Sequence, residues 1–534
     1  MAFLAGLQKG QPLGWFLWTA PGPPSKIALN GDPLLGGTAG LMMRTVAPFA
    51  LQLNGGNDVV LTADILVPGI TATLLWDGSS LTPIVKSNDT LPSGANVVIR
   101  TGNGPRASDD EVLFQAFRAG GAQTCFTARL KGPAKIRRIV GEGDTAPDGG
   151  TIVNLGEAWI NTKGTVSIMA GGIVDSSFYP RNGAIYISMP GAALQRLVAG
   201  PQDPAPGGGN FVSIGTHRLN NNDQVALFAN LNGAIGSQGI FLGSLGSPPE
   251  TVVIVNGDAS DILPLSTFSN IGGQFVINDS GLVAFNGMVK PPSPAPALYG
   301  LFAWDAGEYE KIVLQGDSLG SNATFWQQSS VLKINSDGKL AFAAILQEGY
   351  DTLQLWRGPG TGLPQILAYA GASAPGSIGA TFNGFVGGTI DLNSSGKVAF
   401  GAALTDANNN QTAGYFLWDG SNVRARLREG DALPGGGSAG PAVAALALSE
   451  AGEVVMYVPD VTGAPNFVRY VIANAAGTLR ELATGDAVAP GAGGTYGRLY
   501  TPPIANPSGQ FLFTAALAGK NAQYGVFASS PPKK

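Results

Sequence analysis

His217 is the only histidine in 534 residues, and Arg218 follows it in Gly215-Thr216-His217-Arg218-Leu219. An imidazole beside a guanidinium, on an inner strand facing a channel, can act as acid and base. The plainer account is a polar residue at a strand end. One histidine cannot build a zinc triad. Cys125, the only cysteine, rules out a thiolate cluster and an intrachain disulfide. Neither a Gly-x-Ser-x-Gly elbow nor a His-Glu-x-x-His helix occurs.

Carboxylates recur with a period instead. Asp32, Asp89, Asp144, Asp258, Asp317, Asp431 and Asp486 each follow Gly or Asn, with degenerate copies of the same motif at Asp203 and Ala372. Neighbouring copies stand 55 to 59 residues apart. A ring of such groups could hold Ca²⁺ or meet cationic partners. Repetition once per unit fits a turn better, each carboxylate accepting N–H bonds from its own Gly-rich loop. The Asp-x-Asp-x-Asp-Gly calcium loop is absent; no cofactor is implied, and metal content stays open.

Aromatics recur too. Trp18, Trp76, Phe241, Trp304, Trp356 and Trp418 hold one place in successive third strands, which predicts core rather than a sugar platform. Trp15, Trp159 and Trp326 fall outside that register, and Trp326, beside a loop, is the candidate contact residue. The channel clusters of Asp, Glu, Tyr, Arg or His that glycan-cleaving propellers use are not visible in the sequence. The Pro206–Gly209 and Pro434–Gly437 stretches precede strands, not a helix with Lys, so they read as connectors.

The elements that would position these residues are short strands. Residues 277–317 show the unit: a strand ending at Asn278, an Asp279-Ser280-Gly281 turn, a second strand from Leu282, and a Pro-rich loop. A third strand, Tyr299 to Trp304, then turns at Asp305-Ala306-Gly307 into a fourth, and Gly316-Asp317 closes the unit. Tight turns force antiparallel neighbours, and four strands per unit without helical periodicity describe a propeller blade. The fold expected is therefore all-β, a β-propeller of eight to nine four-stranded antiparallel blades forming one domain over 1–534. The units run approximately 33–89, 90–144, 145–203, 204–258, 259–317, 318–372, 373–431 and 432–486, with a closing blade from 487–534 and 1–32. Fragments at both ends, including 3–6, would pair in that blade, overlapping by two strands; alternatively they pair between molecules.

Composition narrows the partners. Gly (78) and Pro (37) are abundant and only 13% of residues are charged, so tight turns and polar uncharged side chains carry the surface. A net charge of −5 without a basic run argues against nucleic acid. No apolar run is long enough to span a membrane, and the first residues look like the middle of a repeat rather than a signal peptide.

The motifs Asn278-Asp279-Ser280-Gly281, Gly414-Tyr415-Phe416-Leu417-Trp418-Asp419-Gly420 and Glu429-Gly430-Asp431-Ala432-Leu433-Pro434-Gly435-Gly436-Gly437 resemble those of an uncharacterised family of bacterial secreted repeat proteins predicted to be β-propellers. The resemblance covers essentially the whole chain. It implies the fold and an extracellular or cell-surface location, and no activity. With variable second-to-third loops on one face, the expectation is a non-catalytic scaffold binding a glycan, peptide or surface protein there. The candidate binding residues are the seven Asp, Trp326 and His217. The alternatives are a structural subunit that self-associates through its terminal strands, and a polysaccharide-active enzyme with a channel site.

Overall fold

The computed structural model describes residues 13–527 except 20–24, 30–42, 55–57, 66–70, 93–96, 100–105, 119–120, 132–135, 172, 175–179, 182, 201–202, 234–235, 321–322, 329–331, 377–378, 460, 463–467, 486, 490–493, 507–509 and 519–523. Among the described residues every regular element is a strand. They form nine sheets of four or more strands, antiparallel but for one parallel bridge between Gly14 and Gly525, plus two small two-stranded ones. In chain order the first eight span 43–86, 97–141, 154–199, 210–254, 267–314, 325–369, 381–428 and 445–484. The ninth joins strands of 488–527 to strands of 13–29. The fold is all-β and propeller-like.

The fifth sheet shows why the sequence folds this way. Strand Thr267–Ile277 pairs with Val283–Lys290, then Leu298–Asp305, then Glu308–Leu314. Gly281 closes the first turn on the Asn278 carbonyl at 3.2 Å with φ of 93°, a left-handed backbone that favours glycine. Two residues, Ala306 (φ 48°) and Gly307 (φ 98°), join strands three and four. Positive φ at both is the mark of a type I′ turn, whose twist matches the strands it connects.

Side chains alternate across each strand, so each sheet offers both faces to neighbours. The core therefore lies between sheets. Phe268, Phe285, Phe302 and Trp304 of the fifth sheet are buried against Ile240 and Val253 of the fourth. Seven more such clusters link successive sheets from first to ninth. Trp76, Phe241, Trp304, Trp356 and Trp418 are all buried, each contributing roughly 2–3 kcal/mol through lost apolar surface.

Both chain ends meet in the ninth sheet. Leu13–Thr19 pairs antiparallel with 510–516 over seven residues, so it takes the place of a third strand, and Ser25–Leu29 pairs beyond it. Tyr524–Phe527 also competes for that edge, pairing with both Ser25–Leu29 and the second strand. This is the two-strand overlap expected from the sequence, although 3–6 lies outside the described residues.

A row of asparagines ties the first-to-second turns together. In each of seven sheets a buried Asn ends the first strand: Asn54, Asn161, Asn220, Asn278, Asn335, Asn393 and Asn506. Its Oδ1 accepts the backbone N–H four residues on, at 2.8–3.0 Å. Its Nδ2 leaves the sheet. Asn161 donates to the Asn220 carbonyl (3.0 Å), Asn220 to Asn278 (2.9 Å), Asn335 to Asn393 (3.0 Å) and Asn393 to Ser449 (3.1 Å). Asn506 donates to the Asn54 carbonyl at 3.3 Å, 452 residues away. Ser108 and Ser449 hold the same place in the second and eighth sheets, where the shorter side chain caps only its own turn.

Candidate functional site

Two residues before the asparagine row, the first strands present a second row in matching register. Gln52 pairs with Val60, Arg106 with Leu113, Trp159 with Ser167, Arg218 with Ala226, Val276 with Ala284, Lys333 with Ala341, Asp391 with Ala399, Ala447 with Val455 and Ile504 with Leu512. The asparagine row repeats; this one does not. Charged and aromatic residues concentrate in the second, third and fourth sheets.

Backbone bulges bring further groups to the same place. In the third sheet, pairing skips from Leu155 to Ala158 and leaves Gly156 and Glu157 out of the ladder. In the fourth it skips from Ile214 to His217, leaving Gly215 and Thr216. A bulge re-aims the side chain it carries.

The result is a cluster drawn from three sheets. Arg106 Nη2 donates to Glu157 Oε1 at 3.3 Å, and Arg218 Nη1 stands 3.6 Å from Oε2. The Thr216 hydroxyl donates to Oε2 at 3.4 Å. Both guanidiniums lie over the Trp159 ring, 3.3 Å and 4.8 Å from its centroid, within the range where the ring's negative face attracts a cation. Arg218 Nη1 also donates to Thr216 Oγ1 (3.0 Å) and to the His217 carbonyl (2.7 Å), which fixes its direction. Side-chain exposures of 33%, 32% and 39% for Arg106, Glu157 and Arg218 leave all three open to a ligand. Burial pushes the Arg106 guanidinium below its ordinary range and Glu157 opposes that shift. Glu157 is the one carboxylate in the cluster.

His217 does not join them. Strand alternation turns it away from Arg218, and it is fully buried, with Nε2 3.0 Å from the Ser167 hydroxyl. Burial, reinforced by the Arg218 and Arg106 charges, pushes its pKa down to about 4, so the ring is neutral at pH 7. It lies buried behind the cluster.

The Asp series stands elsewhere. Asp89, Asp144, Asp317 and Asp431 each accept the backbone N–H three residues back, at 2.9, 2.7, 2.8 and 2.8 Å. The other carboxylate oxygen meets a cation of the fourth strand: Lys86 (2.6 Å), Arg138 (2.6 Å), Lys311 (2.9 Å) and Arg428 (2.9 Å). Asp258 instead accepts the Ser260 hydroxyl and N–H, bonds that hold its carboxyl below the usual range. Asp32 and Asp486 lie outside the described residues. Among the described residues no three His, Cys, Asp or Glu side chains are grouped to hold a metal. Trp326 is 42% exposed on Phe325–Gln328 of the sixth sheet, apart from the cluster.

Sequence reasoning named His217 and Arg218 and set Trp159 outside the core register, but missed Arg106 and Glu157. Aligning first strands on the turn asparagine would have found them. Arg106, Trp159 and Arg218 each stand two residues before that position, and Glu157 and Thr216 four.

A family of unknown function, DUF7453, matches residues 53–419 and 392–531, and the chain belongs to it. No curated protein matches. Among solved structures, the Pyrococcus horikoshii acylaminoacyl peptidase is 13% identical with a TM-score of 0.33, covering 70% of this chain, which spans 51% of the peptidase. The polysaccharide lyase Uly1 is 11% identical with a TM-score of 0.33, over 75% of this chain and 97% of its own. A Penicillium chrysogenum alpha-L-arabinanase complexed with arabinobiose is 11% identical with a TM-score of 0.25, over 74% and 98%.

The expected non-catalytic scaffold, with its ligand on the variable-loop face, is corrected. That expectation rested on first strands without a cluster of ionisable groups, and such a cluster is present. Carbohydrate-cleaving enzymes are among the similar structures.

Proposed function

We propose that the nine sheets close into one ring, a nine-bladed propeller, and that the protein is a polysaccharide-active enzyme working in the channel at Glu157. The pairing of Leu13–Thr19 with 510–516 and the Asn506-to-Asn54 bond support closure within one molecule. In such a ring the first strands face the channel, and the Gly-Asp turns separate the blades. One observation carries the catalytic reading: ionisable side chains from three successive blades converge, half-exposed, on Trp159, in a row whose fifth, eighth and ninth members are Val276, Ala447 and Ile504. A repeat fold gains a site where it breaks its own symmetry. In this reading Glu157 protonates the glycosidic oxygen as the C–O bond breaks, water adds to the anomeric carbon, and the proton the water loses restores the Glu157 carboxyl. Arg106, Arg218 and Thr216 orient its carboxylate, and Trp159 positions the two guanidiniums. Polymeric substrates of this kind fit an extracellular or cell-surface location.

The test is release of reducing ends from a panel of soluble polysaccharides. Cleavage that Glu157→Gln reduces by a factor of about 10² to 10⁴, with thermal unfolding unchanged, is the expected result. Cleavage indifferent to Glu157→Gln would remove this cluster from the reaction.

A further inference from the structure

Charge in the cluster does not balance. Two guanidiniums face one carboxylate, and His217 adds nothing at pH 7 because burial keeps it neutral. Farther along the row, Lys333 is exposed, whereas Asp391 is turned into the protein, its carboxylate accepting the Leu448 N–H at 2.9 Å. The first strands thus hold a local cationic surplus in a chain whose net charge is −5.

Donors are in surplus as well. A guanidinium carries five N–H groups in a planar fork suited to two-point contact with a carboxylate or sulfate. Arg106 spends one terminal nitrogen on Glu157, and Arg218 directs Nη1 at its protein partners. Trp159 holds both forks at a set angle without consuming an N–H. Sugar hydroxyls alone would leave the extra positive charge desolvated and unpaired when a chain entered the channel, which is costly. An anionic group on the sugar removes that cost.

We infer that the polysaccharide taken by this site is anionic, its carboxylate or sulfate groups held by Arg106 and Arg218. This rests on the channel reading above and names the substrate class for it. The cationic surplus is local and confined to three blades, so recognition is of one or two groups of a sugar chain.

The experiment is affinity electrophoresis of the full chain through gels containing polygalacturonate, dextran sulfate, neutral dextran or single-stranded DNA, at two salt concentrations. Retardation by polygalacturonate, dextran sulfate or both, weakening with salt and absent with dextran, is expected; which of the two retards it tells carboxylate from sulfate. Arg218→Ala should weaken retardation at least tenfold and Arg218→Lys less, while Arg424→Ala, on the fourth strand of the seventh sheet, changes nothing. Circular dichroism of each variant checks folding, and Arg106→Gln repeats the test from a second position. Equal retardation by dextran, retention by DNA alone, or polyanion binding untouched by both arginine changes would overturn the inference. Cleavage of a neutral polymer through Glu157 would overturn it while leaving the enzyme reading intact. Polyanion binding without cleavage of any polymer would do the reverse.

Discussion

Two rows of residues, separated by a single strand pitch, behave in opposite ways. The asparagine row repeats in seven of nine sheets, each amide capping its own turn and most also bonding a neighbour's carbonyl. Two residues earlier along the same strands, the row runs through Gln, Arg, Trp, Arg, Val, Lys, Asp, Ala and Ile. The first row is buried and satisfied; in the second, the charged groups of three sheets stay half-exposed and share partners. Where every copy needs the same hydrogen bonds, the sequence is held constant. In the second row nothing in the fold dictates the side chains, so the sequence there is free to vary from sheet to sheet.

Five substitutions sharpen or break that contrast. Asn220→Ala strips a partner from the Gln224 N–H and from the Asn278 carbonyl. It should cost about 3 kcal/mol in urea unfolding, since buried polar groups left unpaired lose roughly 1–3 kcal/mol each. Cleavage below the unfolding transition should be unchanged. Arg218→Ala, being half-exposed, should shift stability by under about 1 kcal/mol. A large stability loss there would make the second row structural too.

His217 gives a pH test of the wall between the rows. Its folded pKa of about 4 lies below the unfolded value of 6.5. The unfolded chain therefore binds the proton first as pH falls. The contribution is fully present above pH 6.5 and is lost progressively as pH drops through 4, on the order of 3 kcal/mol in all. His217→Gln should remove that part of the pH dependence, read as the difference between variant and parent unfolding midpoints at pH 7 and pH 4.5. Identical slopes would mean that the ring is reached by solvent.

Smaller effects follow. Asp317→Ala loses the Leu314 N–H bond and the Lys311 ion pair, both partly exposed, and should cost about 1 kcal/mol. Calcium or chelator should shift neither unfolding nor cleavage; a calcium-dependent midpoint that Asp317→Ala abolishes would restore the acidic ring as a metal site. Trp159→Phe keeps a ring beneath the guanidiniums but a weaker one, so KM should rise about threefold with kcat little changed. A fall in kcat alone would instead place the indole against the reacting atoms.

The fold was more legible than the site, for a physical reason. Turn chemistry at Asn278–Gly281 and Ala306–Gly307 is local, and eight or nine copies of it average out single deviations. Third-strand aromatics such as Trp304 and Trp356 follow from the same alternation. The cluster depends on two things that are not local. Contact between Arg106 and Glu157 joins residues 51 apart on different sheets. Glu157 and Thr216 lie in bulges outside the pairing ladder, although their even spacing from the turn asparagine keeps them on the side of Trp159 and Arg218. The same alternation, counted correctly from the turn asparagine, puts His217 on the buried side of its strand. A lone histidine drew attention by chemistry; its register decided otherwise.

The most direct measurement sets the two rows against each other in one assay. Initial rates of reducing-end release would be compared for the parent chain, Glu157→Gln and Asn220→Ala, each below its own unfolding transition. The account predicts near-complete loss with Glu157→Gln and a full rate with the less stable Asn220→Ala. A full rate with Glu157→Gln, or no cleavage of any polysaccharide by the parent chain, would contradict it.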